Sequence, residues 1–322
     1  MYDMHYDLLT ILYYVFEKRS LSHLYKLIGD CRDIYNKDNI IGGIINLYFM
    51  TYNEMFEELG ITKEEINNIP LMLKKSIGYL KYLKDIDVIP KDVDFIYSIE
   101  GCDYLKGADD LDELYELGLR SIVPVWNNKN KFASGNRSLD GITKEGIELI
   151  SKAIELGMIV DVSHANKKSF NDILDVLEKY NDYLLLASHS NVRSICDRDR
   201  NLDDEQLYRL RDMNGYISLF TNGNFLTSDN KNKSYKERQD MYLKHLDYLI
   251  NKIGFSDDKL LVATDDMNFH PDKSYHNLEA FNINSVASDL FKVISKNYDD
   301  ELANKIMINN PKKLINKVKR YE

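Results

Sequence analysis

The chain has 322 residues, 44% hydrophobic and 29% charged, with a formal net charge of −10. That balance is ordinary for a globular enzyme. The acidic total argues against a nucleic-acid partner, because neutralising phosphates takes a basic surface.

In chain order, residues 1–5 read as a first short strand. Residues 8–16 are apolar but broken by Thr10, far too short for a membrane span. Asp3 and Asp7 precede that stretch and Glu17-Lys18-Arg19 follow it, which is not the order of a signal peptide. Further runs of β-branched and aliphatic residues follow at 40–49, 93–100, 120–126, 158–164, 183–189, 215–220 and 259–265. Several are apolar throughout, as strands buried on both faces are. The stretches between them have helical character. Residues 111–117 carry acids on one side and Leu on the other. Residues 143–156 start on Thr143, carry Glu145 early and stop at Gly157. Residues 166–180 and 202–213 repeat every 3.6 positions, the second opening on Asp203 and Asp204. Residues 235–253 end at Gly254, residues 278–296 follow the last strand, and 299–321 add further helices.

Eight alternations of strand and helix predict an α/β fold, a (β/α)8 TIM barrel with extra C-terminal helices. No low-complexity linker or Pro/Gly hinge interrupts it, so one domain over residues 1–322 is expected. The three cysteines Cys31, Cys102 and Cys196 form no CxxC pair. That argues against a disulfide framework and for a reducing compartment, the cytoplasm.

Residues able to bind metal fall at the ends of the predicted strands: His5 and Asp7, Glu100, His164, His189 and Asp265. The C-terminal rim is where such barrels build their sites. His5 and Asp7 are two apart, so on a strand they face the same way. Glu100 offers two oxygens, one for each of two cations roughly 3.5–4 Å apart. His164 and His189 each follow a Ser at the end of an apolar run. Asp265 is placed to shuttle a proton, with Asp266 leaving that assignment open by one residue. Each residue taken singly has a plainer reading, such as a capping Asp, a solvated Glu or a core His.

The set resembles the membrane (renal) dipeptidase family of zinc metallopeptidases, amidohydrolase-type barrels, over nearly the whole chain. Asp3-Met4-His5-Tyr6-Asp7 is similar to the family's opening Asp-Gly-His-x-Asp. Ser98-Ile99-Glu100-Gly101 resembles its bridging-glutamate motif. Asp161-Val162-Ser163-His164 and Ser188-His189-Ser190-Asn191 resemble its histidine motifs, and Arg200-Asn201-Leu202-Asp203-Asp204 its Arg-Asn segment. Ala263-Thr264-Asp265-Asp266 resembles its last acidic motif.

The resemblance implies a metallo-dipeptidase that cleaves dipeptides with a free C-terminal carboxylate through a hydroxide bridging two divalent ions, zinc by the donor set. His5 and Asp7 would hold one ion and His164 and His189 the other, with Glu100 between them. Arg200 would clamp the substrate carboxylate, unless it pairs with Asp197, Asp199 or Asp203. Asp265 would move the proton, and Trp126, Asn127 and Asn130 would line the substrate. No membrane partner is expected, and a homodimer follows from the resemblance alone. Met4 replaces the family's Gly, and Asp266-Met267-Asn268 departs from the last motif. Trp126 stands where the family has a carbonyl-polarising His; an indole donates one hydrogen bond but is no base. The rival readings are deacylation of N-acyl amino acids and a binding protein without turnover.

Overall fold

Eight parallel strands pair side by side in the order of the chain. They are β1 (Tyr2–Tyr6), β2 (Gly42–Tyr48), β3 (Asp94–Glu100), β4 (Leu119–Val123), β5 (Ile159–Asp161), β6 (Leu184–Ala187), β7 (Tyr216–Phe220) and β8 (Leu260–Ala263). This computed structural model describes residues 1–265, 280–281 and 285–319. Parallel neighbours require a crossover, and helices supply one between every successive pair of strands. The result is a nearly closed (β/α)8 barrel.

Every strand except β3 is buried at all positions, which is why the sequence shows continuous apolar runs rather than alternation. Tyr2, Met4, Ile44, Ile96, Ile159, Leu186 and Leu261 form the barrel interior. Leu314, Ile315 and Val318 of the last helix, Asn310–Lys319, join that cluster. Tyr2, Leu184 and Tyr216, all first residues of their strands, belong to it too, so this helix closes the N-terminal end of the barrel. The Asn310 amide fastens it there by donating to the Leu260 and Asp257 carbonyls. The extra C-terminal helices therefore have a structural task.

The helix starts follow their capping residues. Thr143, Asn166 and Asp203 accept backbone N–H groups at the starts of Lys144–Glu155, Lys167–Leu177 and Asp204–Asp212. Gly254, at φ 82°, ends the segment formed by Tyr235–Asp247 and the π-helical Tyr248–Ile253. The helix predicted over 278–296 is described as Val286–Asn297; 278–279 and 282–284 lie outside the described residues. Three helices, Tyr52–Leu59, Lys63–Ile66 and Ile69–Asp85, separate β2 from β3. Among the described residues, no helix is long and apolar enough to cross a membrane. The three cysteines are buried and unpaired.

Where β8 meets β1, a carboxylate joins the edges. Asp3 Oδ1 accepts the Thr264 N–H at 3.0 Å and Oδ2 accepts the Thr264 hydroxyl. The Asp265 N–H donates to the His5 carbonyl at 2.8 Å. Burial pushes the Asp3 carboxyl up to about 6 while the Thr264 donors draw it back.

On the other side of β1, the strands approach so closely that Gly43, at φ +148°, has no room for a side chain. A Cβ there would lie 1.8 Å from the Asp3 carbonyl oxygen. Gly43→Ala must displace backbone as well as enter an unfavourable region. It should cost more than about 3 kcal/mol, read as a drop in the denaturant midpoint.

Candidate metal centre

The strands end earlier than the sequence pattern suggests, and the site is built on the turns that follow. β5 stops at Asp161 and β6 at Ala187. The Asp161 carboxylate replaces the next ladder bonds, accepting N–H groups from Ser163 at 2.9 Å and Ser188 at 3.1 Å. The two turns so pinned present His164 and His189. His164 and Asp265 both hold left-handed backbone, φ 68° and 51°, a conformation non-glycine residues seldom adopt and one that recurs at functional sites.

These turns bring the expected residues together. Glu100 ends β3, is buried, and lies among three imidazoles. Its Oε2 is 2.9 Å from His5 Nε2. Its Oε1 is 2.7 Å from His164 Nε2 and 3.6 Å from His189 Nε2. The His164 and His189 Nε2 atoms are 2.9 Å apart. Asp265 Oδ1 is 3.9 Å from His5 Nε2. Donor atoms of His5, Asp7 and Glu100 lie within 4.8 Å of one another, as do those of Glu100, His164 and His189.

The donor set fits divalent cations. Asp7 precedes the helix Leu8–Lys18 but makes no capping bond with its side chain. Its Oδ1 is buried with no hydrogen-bond partner. A bare carboxylate oxygen in that position is costly unless a cation meets it. The His164 Nδ1–H donates to Asn127 Oδ1 at 3.0 Å, which leaves a lone pair on Nε2 facing Glu100 and His189. With His189 in the same tautomer, the two Nε2 lone pairs, 2.9 Å apart, would repel one another unless a positive charge sat between them.

The ionisation of the free site tells the same story. Burial lowers His5, but Glu100 beside it lifts the imidazole to about 10. Burial raises Glu100, yet His5 and His164 hold it well below the carboxylate range. Burial, with Glu100 and Asp265 adding to it, drives Asp7 well above that range. Burial lifts Asp265 to about 7, against the pull of His5. Burial and then Arg200 bring His164 down to about 4.

Arg200 is buried and donates from Nη2 to the His189 carbonyl at 3.2 Å. The carboxylates that compete for it in sequence are engaged elsewhere: Asp197 and Asp199 with Arg193, and Asp203 with Lys167. Trp126 stands beside the site, its ring 6.0 Å from that of His164. Asn130 turns inward. Its Nδ2 donates to Asp103 and to the Pro124 carbonyl, and its Oδ1 accepts from Phe132 and Ala133. That fills all four hydrogen-bonding positions of the amide, so Asn130 shapes the loop and has none left for a substrate. Asn127 likewise serves His164. Asp266, Met267 and Asn268 lie outside the described residues.

Three residues escaped the sequence reading. Asp161 supports both histidine turns; a carboxylate inside an apolar strand was its signal. Ser188 touches two imidazoles. Tyr48 is paired in register with Glu100, and its phenol feels the charges of Asp7, Glu100 and Asp265.

The family model for membrane dipeptidase (peptidase family M19) matches residues 2–322. An "Uncharacterized protein in PQQ-III 3'region" of Acinetobacter calcoaceticus is 29% identical over 245 residues, 66% of this chain and 76% of that protein. An "Uncharacterized protein in pqqA 5'region" of Klebsiella pneumoniae is 36% identical over 176 residues, 52% of this chain and 62% of its own length. Among solved structures, a metallopeptidase from Rhodobacter sphaeroides liganded with a phosphinate mimic of L-Ala-D-Ala superposes with a TM-score of 0.72. It is 21% identical, with 98% of each chain covered.

Two outcomes follow for the metal-free protein. Adding Zn²⁺ at a hundred times its dissociation constant should stabilise the fold by about 2.7 kcal/mol, read as a rise in Tm that chelator reverses. Binding should also release protons. His5, lifted to about 10, is charged at pH 7 when metal-free and must be neutral to ligate. Affinity should therefore rise with pH, and calorimetry in buffers of different ionisation enthalpy should find at least about one proton released per chain.

Proposed function

Because the chain belongs to the membrane dipeptidase family of metallopeptidases, we propose that it hydrolyses dipeptides bearing a free C-terminal carboxylate, with two divalent cations, zinc by preference, at the mouth of one barrel domain spanning residues 1–322. The observation that carries this reading is Glu100 set between His5 on one side and His164 and His189 on the other, with the orphaned Asp7 oxygen beside them. His5, Asp7 and Glu100 would hold one ion; Glu100, His164 and His189 the other. Nitrogen and oxygen donors in this mixture suit Zn²⁺. Bound there, the cations would lower the pKa of a water between them and polarise the scissile carbonyl.

The chain's own groups do the rest. Asp265, with its carboxyl near 7 in the free site, accepts a proton from the attacking water and delivers it to the leaving amine. Arg200, buried and not paired with Asp197, Asp199 or Asp203, receives the substrate carboxylate in its planar fork. Trp126 forms a wall beside His164 and offers one indole N–H where the family's His is absent. Asn127 orients His164 from behind. The cytoplasmic assignment is supported by the unpaired thiols, and a homodimer by family likeness alone.

The phosphinate dipeptide mimic bound by the Rhodobacter relative makes alanyl dipeptides the natural first substrates. Turnover of L,L- and L,D-dipeptides with added Zn²⁺ or Mn²⁺ should exceed that of N-acyl amino acids. The reverse ranking would move the reading to deacylation, and no turnover of either class would leave only a binding role. Arg200→Ala should lower kcat/KM for a dipeptide by about 2–4 kcal/mol, roughly 30- to 1,000-fold. It should have little further effect on the corresponding dipeptide amide, which already lacks the carboxylate.

A further inference from the structure

His5 and His189 stack, with ring centroids 3.7 Å apart and 30° between their planes. The rings point the same way. Their Nε2 atoms face the two oxygens of Glu100, at 2.9 Å and 3.6 Å. Their Nδ1 atoms meet one hydroxyl, Ser188 Oγ, at 2.8 Å and 2.9 Å. Ser188 is fully buried. It thus does behind the two rings what Glu100 does in front of them.

A hydroxyl has two lone pairs and one hydrogen. An imidazole that gives Nε2 to a metal keeps its hydrogen on Nδ1, and the partner of that N–H fixes both tautomer and ring orientation. Two such rings donate two N–H bonds, which fill both lone pairs of Ser188 Oγ. The hydroxyl hydrogen is then directed away from the rings, on the side where Ser163 Oγ lies 3.5 Å off. Asp161 also has a carboxylate oxygen within 4.8 Å of donor atoms of His5 and His189. However, its Oδ1 already accepts the Ser163 and Ser188 N–H groups, which places it as a support behind the rings. Ser163 Oγ adds to the same frame by accepting the His189 N–H at 3.2 Å. His164 stands outside this arrangement, its Nδ1 being served by Asn127.

We infer that Ser188 is a positioning residue common to both cation sites, holding one imidazole ligand of each in the metal-binding tautomer. The inference rests on the two-cation reading above. It makes binding at the two sites interdependent through one buried oxygen, whereas Asn127 acts on a single site.

The test is titration of Co²⁺ and Zn²⁺ into the metal-free full chain against a competing chelator, for the unaltered protein, Ser188→Ala and Asn127→Ala. Ser188→Ala should weaken both binding steps, each by about 10- to 100-fold, and shift the d–d absorption of both bound Co²⁺ ions. Asn127→Ala should weaken one step only. The metal-free Ser188→Ala chain should melt as the unaltered metal-free chain does, which separates loss of positioning from loss of fold. If it does not fold, the nearly isosteric Ser188→Cys, a poor acceptor, takes its place with the same expectation. Two ions bound by Ser188→Ala at unaltered affinity, or weakening of one step alone, would overturn the inference and leave the two-cation site standing. Fewer than two ions on the unaltered chain would overturn both.

Discussion

The structure is governed by the cost of burying charge at one end of a barrel. Asp7, Glu100, Asp161 and Asp265 bring four carboxyl groups to the same rim, three of them almost wholly buried. His5 and Arg200 are the cations facing them, and neither reaches the Asp7 oxygen. A protein relieves such a burden by protonating its acids or by binding metal. The free site shows the first response, with Asp7 and Asp265 raised and His5 held charged. Catalysis by the family's chemistry uses the second. The same desolvation that raises the acids would favour a divalent ion placed among them.

The barrel determines which residues share that burden. Strands that are buried on both faces can expose polar groups only at their ends, and the last helix occupies the N-terminal end with Leu314, Ile315 and Val318. The C-terminal end is therefore the one left for chemistry. There the ladders stop early, and side chains take over from backbone as hydrogen-bond partners. Asp161 ties together the turns after β5 and β6, and Asp3 ties β8 to β1. Both acids belong to strands and serve as fasteners for the residues that follow them.

Much of this was legible in the sequence. The eight apolar runs gave the strands to within a few residues, and capping residues such as Thr143 and Asp203 gave the helix starts. The ligand-type residues stood out because ionisable side chains rarely end apolar runs. The supports were harder to read. Whether Asn127 and Asn130 face substrate or backbone depends on the path of the loop after β4, and no periodicity encodes that path. Ser188 looks like any small residue beside a histidine, since its importance lies in two rings separated from each other by 184 positions. The strand ends were overextended because residues such as Val162 remain buried after the ladder has stopped.

The seam and the site cannot be separated. The backbone of Asp265 closes the barrel by donating to the His5 carbonyl, while its side chain faces His5 Nε2. Thr264, one residue earlier, is held by Asp3, and Asp3 also accepts the His5 N–H at 3.3 Å. The proposed proton carrier and a proposed ligand thus belong to the same short stretch of hydrogen bonds that joins the first strand to the last. A cation that fixes His5 also fixes the strand bearing it, and so strengthens the closure on which Asp265 depends. Metal affinity and barrel stability are then two expressions of one equilibrium. Asp265, on left-handed backbone at φ 51°, takes part in both through its N–H and its carboxylate.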